Sequence, residues 1–185
     1  TGRNFYSVDT RTVPTPAAWT LGWKSASLLI EHHKQEHGEW PKTMALSAWG
    51  TSNMRTGGDD IAQGLALMGV KPTWDAESRR VTGFEVLPLS ILDRPRVDVT
   101  MRVSGFFRDA FPGLIDLFSS ASRAVAALDE GKGDNPLAAR VMDDVAELIG
   151  EGVNEEQALM RAGYRVFGSM PGAYAAGLQA LIDEK

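Results

Sequence analysis

Between Val97 and Val103 the chain alternates strictly: Val97, Val99, Met101 and Val103 are apolar, while Asp98, Thr100 and Arg102 between them are polar. A period of two is the pattern of a strand with one face in a core. The strand runs directly into Ser104-Gly105-Phe106-Phe107-Arg108-Asp109 and then into a long helical pattern from about Phe111 to Leu128. A strand that passes into a helix through so short a connection points to βα units and a sheet with helices packed on it.

The same succession occurs earlier. Thr15-Pro16 reads as an N-cap followed by proline at the first helical position, opening a helix that runs to about His37 and stops at Gly38. Thr43 to Ala48 is a short apolar run and reads as a buried strand. It enters a polar, glycine-containing loop, Trp49 to Gly58, before a helix from Asp59 or Asp60 to Met68 with Gly69 at its end. Lys71 to Trp74 and Val81 to Leu87 read as two further strands. The expected fold class is α/β: a Rossmann-like, mostly parallel sheet flanked by helices over residues 1–130. The continuation at 131–185 is mainly helical. There Asn135-Pro136 opens a helix to Ile149, Asn154 with Gln157 caps another that ends near Gly163, and a last one begins near Gly172. Tyr164 to Gly168 fits neither period.

Composition narrows the function classes. Apolar residues make up 43% and charged residues 23% of 185, ordinary for a chain with a core. The net charge of −5 argues against nucleic acid or an anionic membrane surface as the main partner. With no cysteine there is no disulfide, thiolate metal site or cysteine nucleophile. No apolar run approaches the ~20 residues that span a bilayer. The opening Thr1-Gly2-Arg3-Asn4 lacks an initiator Met, and the chain stops at Asp183-Glu184-Lys185 after an apolar helical run. Both ends read as cuts through a longer polypeptide.

In an open parallel sheet, ligands bind outside the carboxyl ends of the strands. The segments 49–58 and 104–109 both follow strands and precede helices, so both should emerge on that edge. Between them they offer Trp49, Thr51, Asn53, Arg55, Arg108 and Asp109. An indole face, hydrogen-bonding groups, two guanidiniums and a carboxylate suit a flat, carboxylate-rich organic ligand. The structural alternative is a turn in which Asp109 caps a helix and Arg108 makes a surface pair. Neither G-x-G-x-x-G nor G-x-x-x-x-G-K-[ST] occurs, and Asp59 and Asp60 would repel an anion at the Gly57-Gly58 turn. His33-Lys34-Gln35-Glu36-His37 fits the H-x-x-E-H form of some zinc hydrolases. Cationic side chains in a last helical turn are also favoured by the helix dipole alone.

Longer strings carry a family resemblance. Gly2-Arg3-Asn4-Phe5, WGTSNMRTGGDDIAQGLALMGVKP at 49–72, RPRVDVTMRVSGFFRDAFP at 94–112 and RVFGSMPGAYAAG at 165–177 resemble the cobaltochelatase large subunit, CobN. The magnesium chelatase H subunit is a more distant relative. Ala175 departs from the glycine that the resemblance implies.

The resemblance implies ATP-dependent insertion of Co²⁺, as substrate, into hydrogenobyrinic acid a,c-diamide in the cytoplasm, a step of cobalamin biosynthesis. The large subunit holds the tetrapyrrole. An AAA+ ATPase subunit uses ATP with Mg²⁺ and works with a third subunit. On this reading Arg3, Asn4, Trp49, Thr51, Asn53, Arg55 and Arg108 face the macrocycle. Asp109, with Asp9 behind it, is the carboxylate that would take a proton or transiently hold the metal. The competing readings are a non-catalytic scaffold or subunit-docking domain of the same chelatase, and a zinc-dependent hydrolase using His33, Glu36 and His37.

Overall fold

The computed structural model describes residues 8–170. The first helix, α1 (Pro16–His37), has the expected bounds. Thr15 Oγ1 accepts the Ala18 N–H at 3.1 Å, and Gly38 closes the helix at φ 76°. Its buried stripe is Ala18, Gly22, Ala26 and Ile30, one residue per turn. A Cβ on Gly22 would lie 2.6 Å from the backbone nitrogen of Gln63, so only glycine permits α1 to cross α3 (Asp59–Met68) this closely.

After α1 come β1 (Thr43–Ala48), α2 (Gly50–Thr56), α3, β2 (Val70–Trp74), β3 (Val81–Val86) and α4 (Leu89–Leu92). Then follow β4 (Asp98–Val103), α5 (Gly105–Ala110), α6 (Pro112–Ala126), α7 (Pro136–Gly150), α8 (Glu155–Ala162) and β5 (Val166–Gly168). A three-stranded parallel sheet has the order β1-β4-β5. The core lies on the face of Val99, Met101 and Val103, against α3 and α6, where Leu65, Met68 and Phe118 are also fully buried. Each such apolar side chain contributes about 1.5–3 kcal/mol of transfer free energy.

The α/β class holds, with four local differences from the sequence reading. Strands β2 and β3 form a separate antiparallel hairpin and do not join the parallel sheet. The third parallel strand is β5, from the stretch that had no clear period, so the sheet draws on residues beyond 131. The segment expected as a loop at 49–58 holds the short helix α2, closed by Gly57 at φ 76°. The long helix expected from Phe111 is preceded by α5 and starts afresh at Pro112; Phe111, at φ −129°, is outside the helical region, as residues before proline tend to be. Arg3, Asn4, Ala175 and the helix expected from Gly172 lie outside the described residues.

Two buried guanidiniums fix the layers. Arg96 is 1% exposed and pairs with Glu130 at 2.7 and 2.8 Å while donating to the carbonyls of Met68 and Leu87. Arg165 pairs with Asp98 and donates to the carbonyls of Ala162 and Tyr164. It thereby fastens the end of α8 and the start of β5 to β4. Arg94 caps the last turn of α3 through the Ala66 and Leu67 carbonyls. Among the described residues no helix is long and apolar enough to cross a membrane.

Candidate functional site

Parallel pairing brings the carboxyl ends of β1, β4 and β5 to one edge, with Ala48 in register with Val103 and Val103 with Gly168. The segments after β1 and β4 are joined there. The Ser104 N–H donates to the Ala48 carbonyl at 3.1 Å. Ser104 Oγ accepts from the N–H groups of Gly50 at 3.3 Å and Phe107 at 3.2 Å. One hydroxyl thus meets the first turns of both α2 and α5. A Cβ on Gly50 would come within 2.4 Å of the Phe106 ring and 2.9 Å of the Phe107 nitrogen, so the contact requires glycine.

At this edge a cleft of about 520 Å³ opens, lined among others by Ser47, Trp49, Thr100, Arg102, Ser104 and Phe167. That is within the usual range for small-ligand sites. Trp49 and Phe167 are each 52% exposed. The Arg102 guanidinium is exposed and makes no hydrogen bond or ion pair with the described residues. Among the described residues the lining holds no carboxylate and no imidazole. These residues offer two aromatic faces, hydroxyls and one cation: groups that bind, with no evident base among them.

Trp49 is held by its backbone. Asn53 Nδ2 donates to the Trp49 carbonyl and to Asp60 Oδ2, both at 2.9 Å, and the Trp49 N–H donates to the Asp60 carboxylate. Burial, with the nearby Asp59 charge, pushes the Asp60 carboxyl above its ordinary value. Asn53 is fully buried, and its Oδ1 has no partner among the described residues.

The expected site residues divide accordingly. Trp49 lines the cleft; Asn53 positions it and does not line the cleft. Thr51 and Arg55 are exposed on α2 and lie outside the lining. Arg108 is largely covered. It pairs with Asp109 at 2.8 Å and donates to the Ser169 and Met170 carbonyls, both at 2.7 Å, which supports the rim where Ser169 lines the cleft. Asp9 is elsewhere, against Arg11 at 2.8 Å and Arg80 at 3.4 Å. Its hydrogen bond from Arg11 lowers the Asp9 carboxyl to about 2, which makes it a poor base.

Sequence reasoning missed Arg102, although the alternation at 97–103 already put it opposite the core. It also missed Phe167, whose strand is too short to show a period. His33 and His37 place their ring centroids 4.4 Å apart, and His32 pairs with Glu36 at 3.3 Å. Among the described residues no three or more His, Cys, Asp or Glu side chains gather to hold a metal.

The chain matches, over residues 1–185, the family described as CobN/Magnesium Chelatase. It is 65% identical over 185 residues to the aerobic cobaltochelatase subunit CobN of a Sinorhizobium species, covering all of this chain and 14% of that protein. It is 60% identical over 185 residues to the aerobic cobaltochelatase subunit CobN of Pseudomonas aeruginosa, covering all of this chain and 15% of that protein. The solved catalytic subunit of cobaltochelatase from Mycobacterium tuberculosis shares 50% identity at a TM-score of 0.87, covering 98% of this chain and 15% of that one. The chain thus spans only a small part of the length of these relatives, 14% or 15% of each.

Proposed function

The chain belongs to the CobN/magnesium chelatase family, and from that membership we propose that it supplies one wall of the tetrapyrrole site of a cobaltochelatase large subunit. The observation that carries the proposal is the cleft at the carboxyl edge of the parallel sheet, lined by both the exposed Trp49 and the exposed Arg102. An aromatic face can lie on a conjugated ring, and a guanidinium can take a carboxylate.

In this reading the macrocycle is hydrogenobyrinic acid a,c-diamide and the substrate metal is Co²⁺. Partner subunits supply the driving step: an AAA+ ATPase that uses ATP with Mg²⁺, and a third subunit. The assembly works in the cytoplasm. Metal insertion needs a group to take protons from the inner nitrogens. Asp109 is the candidate carboxylate of this chain, tied to the cleft rim through its partner Arg108, which donates to the Ser169 carbonyl. The wall is otherwise a binding surface, so most of the chemistry falls to other parts of the subunit.

The test is Trp49→Ala in the full-length subunit, assayed for cobalt insertion with its partner subunits. The expected result is a raised KM for the tetrapyrrole with a folded subunit. Unchanged insertion kinetics at limiting tetrapyrrole would remove Trp49 from the site and with it the proposal. The structural roles of the buried Asn53 and the half-buried Arg108 also suit a scaffold domain; in that case Trp49→Ala alters assembly with the partner subunits and leaves tetrapyrrole affinity as it was.

A further inference from the structure

Parallel sheets are almost always covered on both faces. Here one face of β1-β4-β5 packs on the core, while the opposite face carries Ser47, Arg102 and Phe167 in one row across the three strands. All three are exposed. The next row, Ala45 and Thr100, is exposed and half-buried. Among the described residues only the amino end of this face is closed, where Asp98 is buried under Arg165. Towards the carboxyl edge nothing among the described residues covers it, and there it becomes the floor of the cleft.

The charge of that floor is opposite to that of the chain. The whole sequence carries −5, yet among the described residues the cleft lining contains Arg102 and no acidic residue. A neighbouring recess shares Thr100 and Phe167 with the cleft. Its two carboxylates face cations already: Asp98 is paired with Arg165, and Asp144 lies 3.8 Å from Arg140. It adds Arg161, which also has no partner among the described residues. An exposed guanidinium in register with an aromatic residue, in a cleft also lined by the hydroxyl-bearing Ser47 and Thr100, suits a carboxylate on the rim of a planar ligand.

We propose that Arg102 is the carboxylate anchor of this cleft: it grips one peripheral carboxylate of the macrocycle on the open sheet face, beside Phe167, and selects ligands in which that group is free and ionised. The inference rests on the reading of the cleft as the tetrapyrrole wall and adds the residue that sets carboxylate selectivity. Arg102 acts on the periphery of the ligand and takes no part in metal insertion.

The test uses the full-length subunit as wild type, Arg102→Gln, Arg102→Lys and Trp49→Ala. Two probes are titrated: hydrogenobyrinic acid a,c-diamide, and the same macrocycle with its carboxylates converted to methyl esters. Wild type should prefer the free acid by about tenfold or more. Arg102→Gln should bind the acid about tenfold more weakly, bind the ester as wild type does, and so lose the preference. Arg102→Lys should keep part of it, because an ammonium retains the charge without the bidentate fork.

An Arg102→Gln subunit with the wild-type acid-to-ester ratio overturns the inference. If Trp49→Ala still weakens both probes in that case, the tetrapyrrole reading stands and only the anchor is wrong. If Trp49→Ala is also without effect, both fall. Arg102→Gln should melt at the wild-type temperature, since the side chain is exposed. A drop of several degrees would mean that Arg102 packs against protein, and that too overturns the inference.

Discussion

Arg102 and Phe167 are partners in register across the β4–β5 ladder, side by side on the open face of the sheet. They lie 65 residues apart in sequence; the β4–β5 ladder pairs them, and the buried pair of Arg165, one row back, with Asp98, two rows back, fastens β5 to β4 beside them. The position of the Phe167 ring therefore depends on an ion pair with no part in ligand contact.

This dependence predicts the effect of Arg165→Leu. It leaves Asp98 buried without a partner, and loss of one member of a buried pair costs about 3–5 kcal/mol. Urea unfolding of the chain should show that loss. The double variant Asp98→Leu with Arg165→Leu should recover much of it, because two apolar groups replace the pair. If the double variant is no more stable than the single one, the pair is not what fastens β5.

Asn53 holds both the Trp49 carbonyl and Asp60 from a fully buried position. Replacing it by Ala removes two hydrogen bonds at once and should destabilise the chain by about 1–3 kcal/mol. In the full-length subunit the same change should weaken tetrapyrrole binding, because Trp49 loses its backbone clamp. Thr51→Ala, on the exposed side of α2, should do neither. Equal effects from the two substitutions would contradict the positioning role.

Asp60 and Glu130 predict opposite responses to pH. Burial raises the Asp60 carboxyl, so folding favours its protonated form. Its contribution is fullest below the ordinary carboxylate range near ~4 and is lost as pH rises through the raised value. Glu130 is lowered, first by its hydrogen bond from Arg96. Its contribution is present above that range and lost as pH falls through the lowered value. Melting temperatures measured from pH 3 to 7 should show wild type gaining on Asp60→Asn, and losing its advantage over Glu130→Gln, as pH falls. Differences that stay flat with pH for both variants would refute the assignment.

Gly50 sits where α2 and α5 start together. Gly50→Ala must push the Phe106 ring and the Phe107 backbone apart, at about 1–3 kcal/mol for such overpacking. Circular dichroism on thermal unfolding should show a lower midpoint. Gly113→Ala, where an added Cβ meets nothing within 4 Å, should leave it unchanged. Equal midpoints for the two variants would mean that the junction is loose.

Much of the fold was legible because its signals are local. Thr15-Pro16 and Gly38 bound α1, and the alternation at 97–103 marks β4. The two segments after β1 and β4 were expected on one edge, and Ser104 Oγ joins them there. What was hidden depends on partners distant in sequence. Asp98 looked solvent-facing by its period, yet it is buried because Arg165, 67 residues on, supplies the compensating charge. α2 was hidden because Gly50-Thr51-Ser52-Asn53 has no apolar period, and its one buried polar residue is held by Asp60. Arg108 and Asp109 looked free for a ligand, and sequence could not show that Arg108 would be taken up by the carbonyls of Ser169 and Met170.

The central claim is that the cleft between Trp49 and Phe167 is the tetrapyrrole wall. Equilibrium titration of the full-length subunit with hydrogenobyrinic acid a,c-diamide tests it most directly, comparing wild type with Trp49→Ala and Phe167→Ala combined. Both side chains are half exposed, so the double variant should keep the wild-type melting temperature while its Kd rises by tenfold or more. A folded double variant with the wild-type Kd would contradict the claim.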